Sequence, residues 1–241
     1  MVYTLCIKVQ GGLFIVRLNV PQGLSFPTGD PDGVKKFVIG SVVSFLGFLF
    51  LPALISAGYY LEALRMASEG EDRLLPDWAD WGNYLVKGFW SFLIGLAFMS
   101  VPIIIGIVGV SGGFTAALSG AKYDSTGVAI TGLGFAAICG MIAFGLACII
   151  AFFVPMAQLR FARSGKAGDA FNFGGIISDI MKSPVDYFVS WAIPMGLGFL
   201  LNMAIGMTGF GLVLIPAMTF YVAMVNAHLL GQYYRAHLAE L

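Results

Sequence analysis

Residue types that could do chemistry are scarce in this sequence and widely separated. Its two histidines are His228 and His237, and its three cysteines, Cys6, Cys139 and Cys148, lack the paired spacing of a metal site or a disulfide framework. Neither an HExxH zinc motif nor a GxxxxGK[ST] phosphate-binding loop is present. The sequence therefore predicts no catalytic residue, no metal site and no cofactor, and we expect the protein not to be an enzyme.

The composition is that of a protein embedded in lipid. Of the 241 residues 59% are hydrophobic and only 11% are charged, whereas soluble domains are about 45–50% apolar and about 25% charged. A soluble fold of this length would expose too much apolar surface to water. Basic and acidic residues balance at thirteen each. We therefore expect membrane lipid as the partner and no binding of nucleic acid.

Several apolar runs are long enough to cross a bilayer, which takes about 20 residues as a helix. Each must be helical, because lipid offers no partner for free backbone N–H and C=O groups. The runs lie near residues 37–61, 88–110, 128–159, 187–206 and 210–230. In one alternative, Pro52 breaks the first run into a re-entrant pair and the number of spans becomes even. The predicted fold is an all-α, polytopic transmembrane helix bundle over residues 31–241, with about five spans.

Residues 1–30 form a separate N-terminal segment. The stretch "YTLCIKVQGGLFIVRLNV" contains two β-rich runs around Gly11 and Gly12, which is typical of a β-hairpin. The alternative is a disordered terminus. We find no pattern of a cleavable signal peptide in this segment.

The charged residues fall into two blocks, 62–87 and 160–186. With five spans, both blocks and the C-terminus share one face, whereas Lys35, Lys36 and Lys122 lie near the other. The face richer in lysine and arginine is expected to be cytoplasmic. This predicts a cell-membrane protein with its N-terminus outside and its C-terminus in the cytoplasm, although the Lys35–Lys36 pair opposes that orientation.

An amphipathic stretch, "DWADWGNYLVKGFW", leads into the second run. Trp78 and Trp81 fall on one side of its helical wheel, and Asp77 and Asp80 on the other. Because tryptophan favours the headgroup level, the stretch predicts a helix lying in the membrane interface. An alternative role for the two aspartates is to gate a solute path or to bind a cation. The predicted interfacial anchors are Trp78, Trp81, Trp90, Phe173, Tyr233 and Tyr234.

A second amphipathic stretch, "DAFNFGGIISDIMKSPVDYF", follows the third run. Its Phe173, Ile176 and Ile180 share one helical side, and "SPVD" predicts a new helix with Ser183 as N-cap and Pro184 in the first position. The two stretches are preceded by "LRMASEG" and "LRFARSG", which agree at four of seven positions. This indicates a tandem repeat of span, interfacial helix and span with parallel halves, an arrangement that transporters often use.

Polar residues inside the apolar runs are the remaining candidates for function. The middles of the runs contain no Asp, Glu, Lys or Arg, the usual mark of an ion path. The polar intramembrane candidates are Ser100, Asn202, Asn226 and His228. The two asparagines could form hydrogen bonds between helices. His228 is either a satisfied interfacial residue or a ligand.

Small residues recur at four-residue spacing in the same runs. Gly109 and Gly113 form a GxxxG pair, and Gly132, Ala136 and Gly140 form a ladder. Such faces allow two helix backbones to approach closely, so we expect a compact bundle.

Three segments together resemble the prokaryotic membrane-protein family known as domain of unknown function 4013. They are "GYYLEALRMASEGEDRLLPDWADWGNYLVKG", "LRFARSGKAGDAFNFGGIISDIMKSPVDYF" and "AHLLGQYYRAH". The resemblance covers about Ser25 to Arg235. It implies a multi-pass membrane protein of unknown activity and carries no catalytic residues over to this chain.

From these patterns we expect a structural or interaction role. The two interfacial helices would lie on the cytoplasmic face and organise lipid, a partner protein or a second copy of the chain. The alternative is a transporter for a small or amphipathic solute, with a cavity lined by Ser100, Asn202 or Asn226. An intramembrane enzyme is a third interpretation.

Overall fold

The computed structural model describes residues 5–9, 12–16, 18–25, 30–71, 75–206 and 211–239. The described chain is dominated by helices, which confirms the predicted all-α class. Its elements are β1 (Leu5–Val9), β2 (Gly12–Val16), α1 (Val20–Ser25), α2 (Gly33–Phe45), α3 (Leu51–Glu69), α4 (Trp81–Ile105), α5 (Ser111–Lys122), α6 (Thr126–Ser164), α7 (Ala167–Ala170), α8 (Phe173–Met181), α9 (Pro184–Gly206) and α10 (Gly211–His237).

The two short strands pair with each other. They run antiparallel, with Leu5 opposite Val16 and Val9 opposite Gly12. This is the arrangement of the hairpin alternative for the N-terminal segment, and Gly11 lies outside the described residues.

The first predicted span is wrong as a single crossing, because the chain turns back within it. A short 3-10 turn, Leu46–Leu49, is followed by Phe50 with a φ of 64°. The hydroxyls of Ser44 and Ser56 are 3.4 Å apart, whereas twelve residues of continuous helix would separate them by about 18 Å. Pro52 lies in the first turn of α3, where its missing N–H is tolerated but would interrupt a longer helix. Helices α2 and α3 thus form a helical hairpin, as the alternative predicts.

Among the described residues, four helices are long and apolar enough to span a membrane by length and composition, where α4 and α5 count as one helix joined by the π-helical turn Gly106–Val110. They comprise Trp81–Lys122, Thr126–Ser164, Pro184–Gly206 and Leu214–His237. The first two have 42 and 39 residues, which at 1.5 Å per residue exceeds a hydrocarbon core of about 30 Å. Helix continues to Lys122 where a loop is predicted, and the chain reverses at Asp124, whose φ is 51°.

The chain divides into two compact units, and Leu93–Val154 is the second of them. Within it, α5 and α6 cross at glycines. A Cβ atom built on Gly113 would lie 2.6 Å from the Gly132 carbonyl oxygen, and one on Gly132 would lie 2.6 Å from that of Gly113. Gly109 faces Cys139 in the same way, because a Cβ atom built on Gly109 would lie 2.3 Å from the Cys139 Cβ. The predicted small-residue faces therefore pack against each other.

The first unit contains the chain up to Phe92 and from Pro155 onward. Helix α10 lies against α1, α2, α3 and α9, and runs in the same direction as α3. A Cβ atom built on Gly231 would lie 2.6 Å from the Ala67 Cβ, so these backbones touch. The core around them includes the fully buried side chains Tyr59, Leu61, Leu64, Met224, Leu229 and Leu230.

Both charged blocks and the C-terminal helix meet at one end of this unit. Arg163 donates to the Ser68 hydroxyl at 3.1 Å and lies 4.0 Å from the ring centroid of Tyr234. His237 pairs with Asp186 at 2.6 Å. The sequence predicts this shared face correctly.

Two further groups lie at this end that were expected elsewhere. Lys36 pairs with Asp77 at 2.8 Å, because the α2–α3 hairpin returns the start of α2 to the charged blocks. The Asn19 N–H donates to Gln232 at 2.6 Å, next to the end of α10. The expectation that the N-terminal segment lies on the face opposite the C-terminus is therefore wrong.

Candidate functional site

A cluster of buried charges in the first unit surrounds Asp30, whose side chain is only 3% exposed. Its carboxylate accepts hydrogen bonds from Lys36 Nζ at 2.9 Å and from the backbone N–H groups of Asp32 at 2.8 Å and Leu75 at 2.9 Å. Lys36 also donates to the Leu75 carbonyl at 2.8 Å and pairs with Asp77. This Asp30 cluster (Asp30, Lys36, Leu75 and Asp77) fastens the start of α2 to the loop before α4.

The hydrogen bonds around Asp30 and Lys36 favour the charged form of both side chains. Burial alone raises the pKa of Asp30, but hydrogen bonds from Lys36 and from the Asp32 and Leu75 backbones bring it below its ordinary value. Burial lowers the pKa of Lys36, yet the carboxylates of Asp77 and Asp30 raise it above its ordinary value. Asp30 and Lys36 are therefore both ionised at neutral pH.

Trp78 is fixed by the same loop and does not belong to an interfacial helix. Its indole N–H donates to the Lys36 carbonyl at 2.9 Å, and its ring stacks on Tyr59 with centroids 4.0 Å apart. The Tyr59 hydroxyl donates to the Pro76 carbonyl at 2.8 Å. Residues 77–80 are irregular, and α4 begins only at Trp81. The amphipathic period of this stretch reflects packing on α3 instead of a helix lying in the interface.

The other predicted anchors differ in their surroundings. Trp81, Trp90 and Phe173 are exposed, as an interfacial role requires. Tyr234 is half-buried beneath Arg163. Tyr233 is fully buried and donates to the Asp179 carbonyl at 2.6 Å. The anchor prediction is wrong for Tyr233, because its hydroxyl joins α10 to α8 inside the protein.

A second charged cluster joins α3 to α4. Glu62 accepts from Arg65 at 2.6 Å and from Lys87, and Arg65 also binds Glu69 at 3.0 Å. Burial raises the pKa of Glu62, but the hydrogen bonds from Arg65 and Lys87 bring it below its ordinary value. Opposite charges within the first charged block, residues 62–87, are therefore paired with each other in the protein.

The lowered pKa values predict loss of stability in acid. A carboxylate with a lower pKa in the folded chain stabilises it above the unfolded value and ceases to do so as pH falls through the folded value. We expect the melting temperature in detergent to fall as pH drops from about 5 to about 3. Glu62→Gln should flatten this fall, whereas the exposed control Glu71→Gln should not. Equal pH profiles for Glu62→Gln and the wild type would contradict the prediction.

The apolar residues of helix α8 are partly buried and partly exposed. Ile176 and Ile180 are buried, whereas three apolar residues at four-residue spacing are exposed. These exposed residues are Phe173, Ile177 and Met181. The helix begins with Asn172 as N-cap, whose side chain accepts from the Gly175 N–H at 2.9 Å.

Arg160 holds α8 to the end of α6. It pairs with Asp179 and donates to the Asp169 carbonyl at 3.1 Å. Helix α9 then starts at Pro184, the position that the sequence predicts. The sequence thus predicts helices α8 and α9, but not the contacts of Arg160 that position α8.

Three of the four polar intramembrane candidates form hydrogen bonds within the protein. Ser100 donates to the Ala97 carbonyl of its own helix at 2.7 Å, and Asn202 donates to that of Gly198 at 2.7 Å. Asn226 accepts from the Tyr60 hydroxyl at 2.7 Å. His228 is fully buried on α10. Among the described hydrogen bonds, none joins one candidate to another.

A cavity adjoins the Asp30 cluster. It has a volume of about 340 Å³ and is lined by Asp32, Lys35, Lys36, Ile39, Asp77, Trp78 and Ala79. In the part of the chain that the structure describes, no three His, Cys, Asp or Glu residues are placed to hold a metal ion. The sequence does not predict this site, because its walls come from the start of α2 and from the loop before α4, which are distant in sequence.

Comparison with known proteins identifies a family. The family model described as Protein of unknown function (DUF4013) matches residues 41–210. The chain belongs to this family. The DUF4013 match begins within α2 and ends just before α10, so it includes the turn of the hairpin, α3, both charged blocks and α8. Neither the comparison with curated proteins nor that with solved structures finds a match.

Proposed function

We propose that this DUF4013 protein is a multi-pass integral protein of the cell membrane with a structural or interaction role at the cytoplasmic face. The observation that supports this proposal is the set of internal ion pairs at the charged end of the first unit. Lys87 of α4 pairs with Glu62 of α3, and Lys36 of α2 pairs with Asp30 and with Asp77 of the loop before α4. Such pairs give a fixed surface rather than a path for charge.

The proposed topology has four crossings and one re-entrant hairpin, α2–α3. An even number of crossings leaves both termini on the same side, which agrees with the contact of Asn19 with Gln232. With Lys36 at the charged end, the basic pair that opposed the orientation now supports a cytoplasmic charged end. Reporter fusions would test this, with Asp124 expected outside and Leu241 in the cytoplasm.

A tandem repeat is also part of the proposal. Helices α3 and α6 both end at a glycine with positive φ, 101° at Gly70 and 68° at Gly165. The contact between Arg163 and Ser68 spans 95 residues, the offset that aligns "LRMASEG" with "LRFARSG". Ser68 and Arg163 are therefore equivalent positions of the two repeats. Equivalent positions contact each other where two repeats meet at an axis of pseudo-symmetry.

The hydrogen bonds of Asn202 and Asn226 to other protein groups favour this role over transport. A polar cavity at mid-membrane would present Asn202 or Asn226 to water, whereas both side chains bond to the protein.

Cysteine labelling distinguishes these two functions. In a background without Cys6, Cys139 and Cys148, we expect Asn202→Cys and Asn226→Cys to resist a water-soluble thiol reagent in intact membranes. Glu71→Cys, on the exposed charged end, is the positive control once that face is made accessible. Rapid labelling at residue 202 or 226 would overturn the structural role and favour a transporter.

A further inference from the structure

The residues that line the cavity beside the Asp30 cluster are suited to bind a headgroup that carries one positive and one negative charge. Asp32 and Lys35 are exposed at its mouth, and among the described residues no ion pair neutralises either of them. The Asp77 side chain is 79% exposed although it also pairs with Lys36. The site thus offers carboxylates to a cation and an ammonium group to an anion.

The charges of the lining favour a ligand that carries both a cation and an anion. The lining contains two carboxylates, those of Asp32 and Asp77, and two lysines, Lys35 and Lys36, so its formal charge is zero. The Trp78 ring also lines the cavity, held by its hydrogen bond to the Lys36 carbonyl. Ammonium groups bind favourably near indole rings and carboxylates. A purely anionic ligand would gain nothing from these carboxylates or from the indole ring.

An apolar face continues from the cavity along α2. Val34, Val38 and Val42 follow at four-residue spacing and are 73%, 54% and 53% exposed. They lie next to the lining residues Lys35 and Ile39. The face therefore begins at the polar cavity.

The depth of the hairpin matches one leaflet. Helix α2 has 13 residues, or about 20 Å, and half of the hydrocarbon core is about 15 Å. The tip of the hairpin is apolar and exposed, with Phe48, Leu49, Phe50 and Leu51 each at least half exposed. A charged mouth and an apolar tip at this separation place the cavity at headgroup level and the tip near the bilayer centre.

We propose that this cavity binds a zwitterionic aminophospholipid of the phosphatidylethanolamine class. Its ammonium group lies between the carboxylates of Asp32 and Asp77, beside Trp78. Its phosphate contacts Lys35, and an acyl chain follows the valine face of α2. This inference rests on the proposed membrane placement and adds the chemistry of the lipid that the cytoplasmic face selects.

Native mass spectrometry of the detergent-solubilised full chain tests the site. We expect dioleoyl phosphatidylethanolamine to bind about ten-fold more tightly than dioleoyl phosphatidylglycerol, a difference of about 1.4 kcal/mol. The double variant Asp32→Asn, Lys35→Gln should lose this preference. The control Glu71→Gln, Lys182→Gln, which removes the same charges from exposed positions elsewhere, should keep it.

Two results would contradict the proposed lipid site. Equal binding of the two lipids by the wild type, or an unchanged preference in the Asp32→Asn, Lys35→Gln variant, would overturn the site. Soluble phosphoethanolamine should not displace the lipid at equal concentration, because it lacks the chain that contacts α2. If it does, the ligand is a soluble zwitterion and the lipid assignment fails. The reporter fusions described above read topology, so a failure there is distinct from a failure of lipid selection.

Discussion

Gly88→Val is expected to prevent the first unit from folding. A Cβ atom at Gly88 would lie 1.7 Å from the Leu54 carbonyl oxygen, and one at Gly58 would lie 1.8 Å from that of Tyr84. Both obstructing atoms are backbone atoms, so no side-chain rotation can make room, and α3 and α4 would have to separate. Overpacking usually costs about 1–3 kcal/mol. We expect at least the upper end of that range here, which is a large part of a stability of about 5–15 kcal/mol.

The matched control is Gly82→Val in the same helix. Gly82 is exposed and a Cβ atom there has no neighbour within 4 Å. We expect size-exclusion chromatography in detergent to show a monodisperse peak and an unchanged melting temperature for Gly82→Val, and aggregation for Gly88→Val. If both variants melt within a few degrees of the wild type, the close approach of α3 and α4 does not exist.

The sequence predicts those parts of the fold that depend on local pattern. Long apolar runs identify α4, α6, α9 and α10, since only a helix satisfies the backbone in lipid. The start of α9 follows from Ser183 and Pro184, whose cap chemistry is also local. The small-residue spacing of Gly109 and Gly113 predicts close packing, because it needs only the helical period.

Hydropathy fails where the direction of the chain matters. A run of 25 apolar residues reads the same whether it crosses the bilayer or turns back, and only Pro52 hints at the turn. The positive φ of Phe50 has no signal in its residue type. In the proposed topology this one feature changes five crossings to four, and in the structure it brings Lys36 to the charged end.

The candidate site could not be predicted because its contacts are long-range. Trp78 shows the period of an amphipathic helix, yet it stacks on Tyr59, nineteen positions earlier in the sequence. Asp30 bonds to the Leu75 N–H across 45 residues. An isolated aspartate before a lysine-rich helix start is common on surfaces, so nothing local distinguishes this buried one.

Asp30→Ala is expected to destabilise the protein by about 3–5 kcal/mol, the usual result of removing one partner of a buried ion pair. Lys36, with a side chain only 12% exposed, keeps Asp77 but loses its buried carboxylate. The Asp32 and Leu75 N–H groups also lose their acceptor, and an unsatisfied buried donor costs about 1–3 kcal/mol. The loop before α4 should therefore detach from α2.

Two companion variants show whether the charge or the hydrogen bonds carry this effect. Asp30→Asn keeps one acceptor oxygen and should lose less stability than Asp30→Ala, because one backbone N–H can still be satisfied. Asp32→Ala removes an exposed carboxylate that makes no capping hydrogen bond, so its melting temperature in detergent should match the wild type. Thermal unfolding followed by intrinsic fluorescence also reports on Trp78 directly, since it bonds to the Lys36 carbonyl. Equal melting temperatures for Asp30→Ala and Asp32→Ala would show that the Asp30 cluster does not hold the start of α2 to the loop before α4.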